Sequence, residues 1–251
     1  MTWTLHFLGV GAASAAELGS ASAALERDQQ PILMIDCGPE ALTAALARYG
    51  GLPPAVFITH AHLDHVGGLE RMFAAAYFNP QTRGEIVMFV PAEIVPLLQQ
   101  RVADYPNVLA EGGANFWDAF RLIPVSRHFW HQGLRFDVFA VRHHAPNSAF
   151  GLSLRGSFIY TGDTRPIAEV LHVTGNGSEP IAHDCGLHGN PSHSGIDDLE
   201  REYPAALRER LVLYHYASQS DGDALQARGY RVARRGDSIA LAAPLTASQQ
   251  A

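Results

Sequence analysis

The chain has 251 residues, 47% of them hydrophobic, and a formal net charge of −7. That apolar content is ample for a buried core, while the acidic balance and the absence of lysine or arginine clusters exclude the charge footprint expected for a long nucleic acid. No apolar stretch approaches the roughly 18 residues of a membrane span, so no membrane association is expected.

Short apolar, β-branched runs bounded by Gly, Pro or Asp read as strands: TLHFLGV, PILMIDCG, AVFITH, EIVMFV, LRFDVFAV, FGLSLRG, SFIYTGD, EPIAHD and LVLYHY. Helical patterns fall between several of them, at residues 39–49, 69–78, 93–105 and 196–210. The early part therefore alternates strand and helix, and residues 120–161 read as consecutive strands. This order predicts an α/β layered fold with mixed sheets. No repeat or linker divides the chain, so one domain over 1–251 is expected, with a frayed tail from 244 to 251. The start MTWTLHFLGVG has no basic leader, and the two cysteines, Cys37 and Cys185, suit reduced thiols. A cytoplasmic location is the expectation.

The 13 histidines are the informative excess. In THAHLDHVGG, His60, His62, Asp64 and His65 directly follow a strand, and Gly67 and Gly68 then let the backbone turn into a helix. In an extended turn, His60 and His62 point the same way and can grip one metal, while Asp64 and His65 face a second position. Further donors must come from other strand ends, and FIYTGDT, LVLYHYAS and VFAVRHHAP offer Asp163, His215 and either His143 or His144.

THAHLDHVGG resembles the HxHxDH signature of the metallo-β-lactamase fold superfamily, and TLHFLGVGAA with ILMIDCGPEAL looks like that family's first strands and Asp-Cys-Gly turn. The resemblance implies an αββα sandwich of two mixed β-sheets flanked by helices, with the metal site at one edge. By similarity, His60, His62, His143 and Asp163 would hold one ion, and Asp64, His65, Asp163 and His215 the other. Zinc is the first expectation for the two divalent ions, although such donors also accept manganese or iron.

The stretch PIAHDCGLHGNPSHSG is similar to the paired histidine motifs of the ribonuclease Z and small-molecule phosphodiesterase branch. The match is partial, because Asp184 stands where that branch has glutamate and Gly195 where it has threonine. It implies catalytic parts for Asp64, for His193 as proton donor and for Asp184 as the group orienting it. His183 and His188 are read as loop histidines, and His128 and His131 as residues of a turn between strands, with a structural or rim role. The implied activity is hydrolysis by a hydroxide held between the two metals, with a small phosphodiester or cyclic phosphate as the expected substrate. A lactone, carboxylic ester or β-lactam is the alternative substrate, and an inactive metal-bound sensor is a further one. Homodimerisation is common in the resembling family.

Overall fold

The computed structural model of the chain describes residues 1–104, 109–110 and 112–245. One sheet uses β1 (Trp3–Gly9), β2 (Ser22–Arg27), β3 (Gln30–Ile35), β4 (Ala55–Phe57), β5 (Ile86–Pro91) and β6 (Phe120–Val125). Helices α1 (Ala41–Tyr49), α2 (Leu63–Val66), α3 (Leu69–Tyr77) and α4 (Val95–Leu98) lie between its later strands. The second sheet uses β7 (His128–His131), β8 (Leu134–Ala140), β9 (Phe150–Leu154), β10 (Phe158–Tyr160), β11 (Ile181–Asp184), β12 (Leu211–Tyr214) and β13 (Arg231–Val232). Its helices are α5 (Ala168–Val173), α6 (Ile196–Glu202), α7 (Ala205–Arg208) and α8 (Gln219–Ala227), and β14 (Ser238–Leu241) returns to the first sheet beside β1.

Each seven-stranded sheet begins with antiparallel pairing and becomes parallel, at β3 to β6 in the first and β10 to β13 in the second. Rings join the sheets face to face: Phe89 of β5 stacks on Phe129 of β7 at 4.1 Å, and Phe7 of β1 meets Tyr214 of β12 at 6.2 Å. β10, β11 and β12 are buried along their whole length, and β10 and β12 read as unbroken apolar runs, as expected of parallel strands covered on both faces.

Several elements depart from the sequence reading. The first three strands form an antiparallel run before any helix of the first sheet, because the small-residue strand β2 pairs β1 with β3. The helix expected over 196–210 is two helices: Tyr203 is extended and Pro204, which has no N–H to donate, starts a new turn. The helix expected over 93–105 is a short 3₁₀ turn, then α4 with Pro96 in its first turn, then a wider π-type turn over Gln99–Ala103; residue 105 lies outside the described residues, as does the tail from 246 on. His128 and His131 belong to strand β7 rather than to a turn, and His131 Nε2 donates to the Ile32 carbonyl of the first sheet at 3.1 Å.

Glu26 of β2, 1% exposed, fastens α1 to the first sheet. Its carboxylate accepts from the Arg48 guanidinium, from the Tyr49 hydroxyl at 2.7 Å and from the Thr4 hydroxyl at 2.8 Å. Burial works to raise its pKa from 4.5, yet these bonds, Arg48's first, hold it lower. A depressed carboxyl pKa stabilises the fold above its unfolded value, and this contribution disappears as pH falls through the folded value. Arg48→Met should therefore cost about 3 kcal/mol in urea denaturation at pH 7, and the difference from the parent should shrink on acidification below pH 4.5. A difference that does not change with pH would contradict the assignment.

Candidate metal centre

The first sheet sends two segments to one edge of the sandwich. β3 leads to Asp36 and β4 to His60, with the two strands parallel. The second sheet sends His143 after β8, Asp163 after β10, Asp184 at the end of β11 and His215 after β12, and these four strands run the same way. The edge is stitched by backbone bonds between sheets: Phe150 N donates to Thr59 O at 3.0 Å and His215 N to Val10 O at 2.7 Å. Asp36 and His215 sit at φ 60° and 68°, in the left-handed region that costs a non-glycine residue of order 1–3 kcal/mol and persists only where the surroundings fix it. Gly38 lets α2 approach, since a Cβ there would lie 1.9 Å from the Asp64 carbonyl oxygen.

Within this edge the donor atoms form overlapping sets. His60, His62, His143 and Asp163 make one, Asp64, His65, Asp163 and His215 a second, and Asp163, Asp184, His193 and His215 a third, each with its ligand atoms within 4.8 Å of one another. Asp163, 1% exposed, is common to all three. Its Oδ2 lies 3.7 Å from His60 Nε2, 3.8 Å from His143 Nε2, 3.2 Å from His65 Nε2 and 3.3 Å from His215 Nε2. His144 is in none of them; its ring meets His62 edge-on at 4.7 Å and His143 at a tilt at 4.1 Å.

The hydrogen bonds behind the rings fix which nitrogen faces the centre. Asp36 Oδ2 accepts from His65 Nδ1 at 2.8 Å, and the Ser192 carbonyl accepts from His143 Nδ1 at 2.9 Å. The Thr59 hydroxyl spends its proton on Asp36, so it accepts from His60 Nδ1 at 3.0 Å. These bonds leave Nε2 of His60 and His143 as bare lone pairs in the neutral rings, and both meet His62 Nδ1 at 3.1 Å. One proton on His62 can satisfy only one of them. A shared cation would satisfy all three, and the buried His65 Nε2, His215 Nε2 and Asp163 Oδ1 likewise have no hydrogen-bond partner among the described residues. The donor set fits a metal.

Protonation splits along the same line. Burial holds His60 well below the ordinary imidazole value, and His143 lies at about 4 for the same reason, so both are neutral at pH 7. Burial also opposes charge on His215, but Asp163 and then Asp184 outweigh it and push it up to about 10; His65 is raised by Asp163 and Asp36 against the same penalty. Protons on His65 and His215 are therefore the counter-charges of the buried carboxylates when no metal is bound.

Asp184, fully buried, supports two histidines at once. Its Oδ2 accepts from His193 Nδ1 at 2.8 Å and from Thr164 N at 2.8 Å, and its Oδ1 lies 3.3 Å from His215 Nδ1. Burial opposes a charge on His193, but the bond to Asp184 raises its pKa. His193 borders an open cavity of about 560 Å³ that also presents Ser14, His188, Asn190 and Asp221. His183 is not a loop residue: it is buried in β11 between the Asp184 carbonyl and the Tyr203 hydroxyl, at 2.7 and 2.8 Å. Asp36 was not singled out as a functional residue in the sequence, although a carboxylate closing the apolar run PILMI, where a strand enters the site, is the signal for it.

The family model for the anti-Pycsar protein Apyc1 matches residues 3–239. A protein of that name from Paenibacillus xerothermodurans is 29% identical over 233 residues, covering 88% of this chain and 90% of the relative. Among solved structures, the metallo-β-lactamase fold protein YhfI from Bacillus subtilis superposes with TM-score 0.73 at 13% identity, covering 96% of this chain and all of the other. A diphosphatase of the PhnP family gives TM-score 0.73 at 18% identity, over 98% and 99% of the two chains. The two sheets and their flanking helices are the metallo-β-lactamase fold.

Asp163→Ala should remove most bound metal, read by elemental analysis, whereas two ions per chain in the variant would show that Asp163 is not shared. Because His215, at about 10, must lose its proton to ligate, metal uptake near pH 7.5 should release protons and tighten as pH rises. Calorimetry in buffers of different ionisation heat reads this directly, and a heat that is the same in every buffer would contradict it.

Proposed function

The chain belongs to the family of the anti-Pycsar protein Apyc1, and on that premise we propose that it is a metal-dependent phosphodiesterase acting on a small phosphodiester or cyclic phosphate. The observation that carries this reading is the His193–Asp184 pair, which stands on the cavity wall next to the donor cluster. His60, His62, His143 and Asp163 would hold one divalent ion, and Asp64, His65, Asp163 and His215 the second, with zinc the first candidate and manganese or iron acceptable to the same donors. When bound, the pair of ions supplies a nucleophilic water at neutral pH and offsets charge growing on the phosphoryl oxygens.

The protein's own part is the proton. Cleavage of a phosphodiester expels an alkoxide, which leaves readily only when a positioned acid protonates it. With Nδ1 committed to Asp184, His193 turns Nε2 to the cavity, and its raised pKa favours the imidazolium near neutral pH. Thr164 N fixes the carboxylate that fixes the ring. The size of the cavity and the chain's charge of −7 support a small molecule over a long nucleic acid.

A carbonyl-ester, lactone or β-lactam hydrolase could use the same donors, and a panel of those substrates run beside bis-p-nitrophenyl phosphate separates the readings; turnover of the carbonyl substrates alone rejects the phosphodiesterase. His193→Ala should keep its metal and lose about 100-fold in kcat on diesters with alkyl leaving groups, with little loss on p-nitrophenyl diesters, whose leaving group needs no proton. Equal losses on both would remove His193 from the acid role.

A further inference from the structure

His62 forms part of the wall of two hollows. One is the main cavity; the other, about 340 Å³, lies across the ring and is walled in part by His60, His143, His144, Leu97 and Arg101. The two differ in the charge left over once the donor sets are accounted for. In the main cavity Asp64, Asp163 and Asp184 belong to donor sets, Asp221 remains, and no lysine or arginine lines the wall among the described residues. Among the described residues the smaller hollow has no carboxylate on its wall, and Arg101 there has no ion-pair partner.

His144 adds a second polar group. Its Nδ1 faces the Ser192 hydroxyl at 3.3 Å and its ring packs on His62 and His143, which turns Nε2 away from that bond. The Ser148 hydroxyl is already spent on the Ala145 carbonyl at 2.7 Å, and Leu97, 41% exposed, contributes an apolar side. A guanidinium and an imidazole lining one hollow that also has an apolar side suit a carboxylate or phosphate held at the end of a short carbon arm.

We propose that this hollow is a binding subsite for a negatively charged oxygen group on the part of the substrate that does not depart, with Arg101 as its principal contact and His144 as its second. The diester would lie across His62, its anionic arm toward Arg101 and its leaving alcohol in the main cavity beside His193. The word substrate rests on the phosphodiesterase reading; the subsite itself does not.

The test is calorimetric titration of the zinc-loaded protein with three non-hydrolysable methylphosphonate monoesters, ending in ethyl, carboxymethyl or 2-phosphoethyl groups. At least one anionic analogue should bind about tenfold tighter than the ethyl ester, and the tighter of the two identifies carboxylate or phosphate as the preferred group. Arg101→Gln should erase that advantage and leave the ethyl ester's Kd unchanged. The proposal is overturned if neither anionic analogue is preferred by the parent protein, if the preference survives in the variant, or if the variant weakens all three alike. Failure to turn over bis-p-nitrophenyl phosphate, with the binding preference intact, would count against the phosphodiesterase alone.

Discussion

A carboxylate removed from water must be compensated, and Asp163 is 1% exposed at the meeting point of two sheets. One of its oxygens lies within 4.0 Å of five imidazole nitrogens and the other has no hydrogen-bond partner among the described residues. Without metal, the compensation available within the chain is protons on His65 and His215. The three-nitrogen contact of His60, His62 and His143 has no such remedy, because burial keeps those rings neutral and two of them have already committed their Nδ1 protons to Thr59 and Ser192. The geometry is unfavourable as a hydrogen-bonded network and favourable as a cation cradle.

The fold produces this geometry by ending strands from both sheets at one edge. Rigid strands fix the Cα positions, backbone bonds across the edge hold the sheets in register, and Asp36 and Asp184 behind the rings aim them. Asp36 bonds Thr59 N, the Thr59 hydroxyl and His65 Nδ1, so it ties the end of β3 to the whole HxHxDH turn. Asp184 does the same on the second sheet for His193 and His215. The left-handed backbone at Asp36 and His215 is the conformational cost of turning these side chains inward.

The densest part of the site was legible because it is local: four donor residues within six positions after a strand have few structural explanations. Asp163 and His215 were legible only as residues at the ends of apolar runs, and their convergence depends on strand order, which periodicity does not encode. Asp36 escaped because a single carboxylate closing an apolar run is a weak signal without a spacing pattern, and its role appears only when β3 and β4 pair. In the fold, the long apolar strands were readable, whereas β2 lacks the β-branched content that marks a strand, and β13 and β14, two and four residues long, are too short to show a pattern. Pro204 was a visible helix breaker that the apolar pattern around it masked. His128 and His131 looked like turn residues because the hairpin they share with β8 is short, with only four paired positions.

The most direct measurement is the metal content of the wild-type protein after stripping with chelator and dialysis against zinc, together with X-ray absorption at the zinc edge. The account predicts about two ions per chain in an environment of histidine nitrogen and carboxylate oxygen, with a metal–metal distance of about 3.5 to 4 Å. A protein that stays folded and takes up no zinc, or holds it without histidine in its coordination shell, would contradict it.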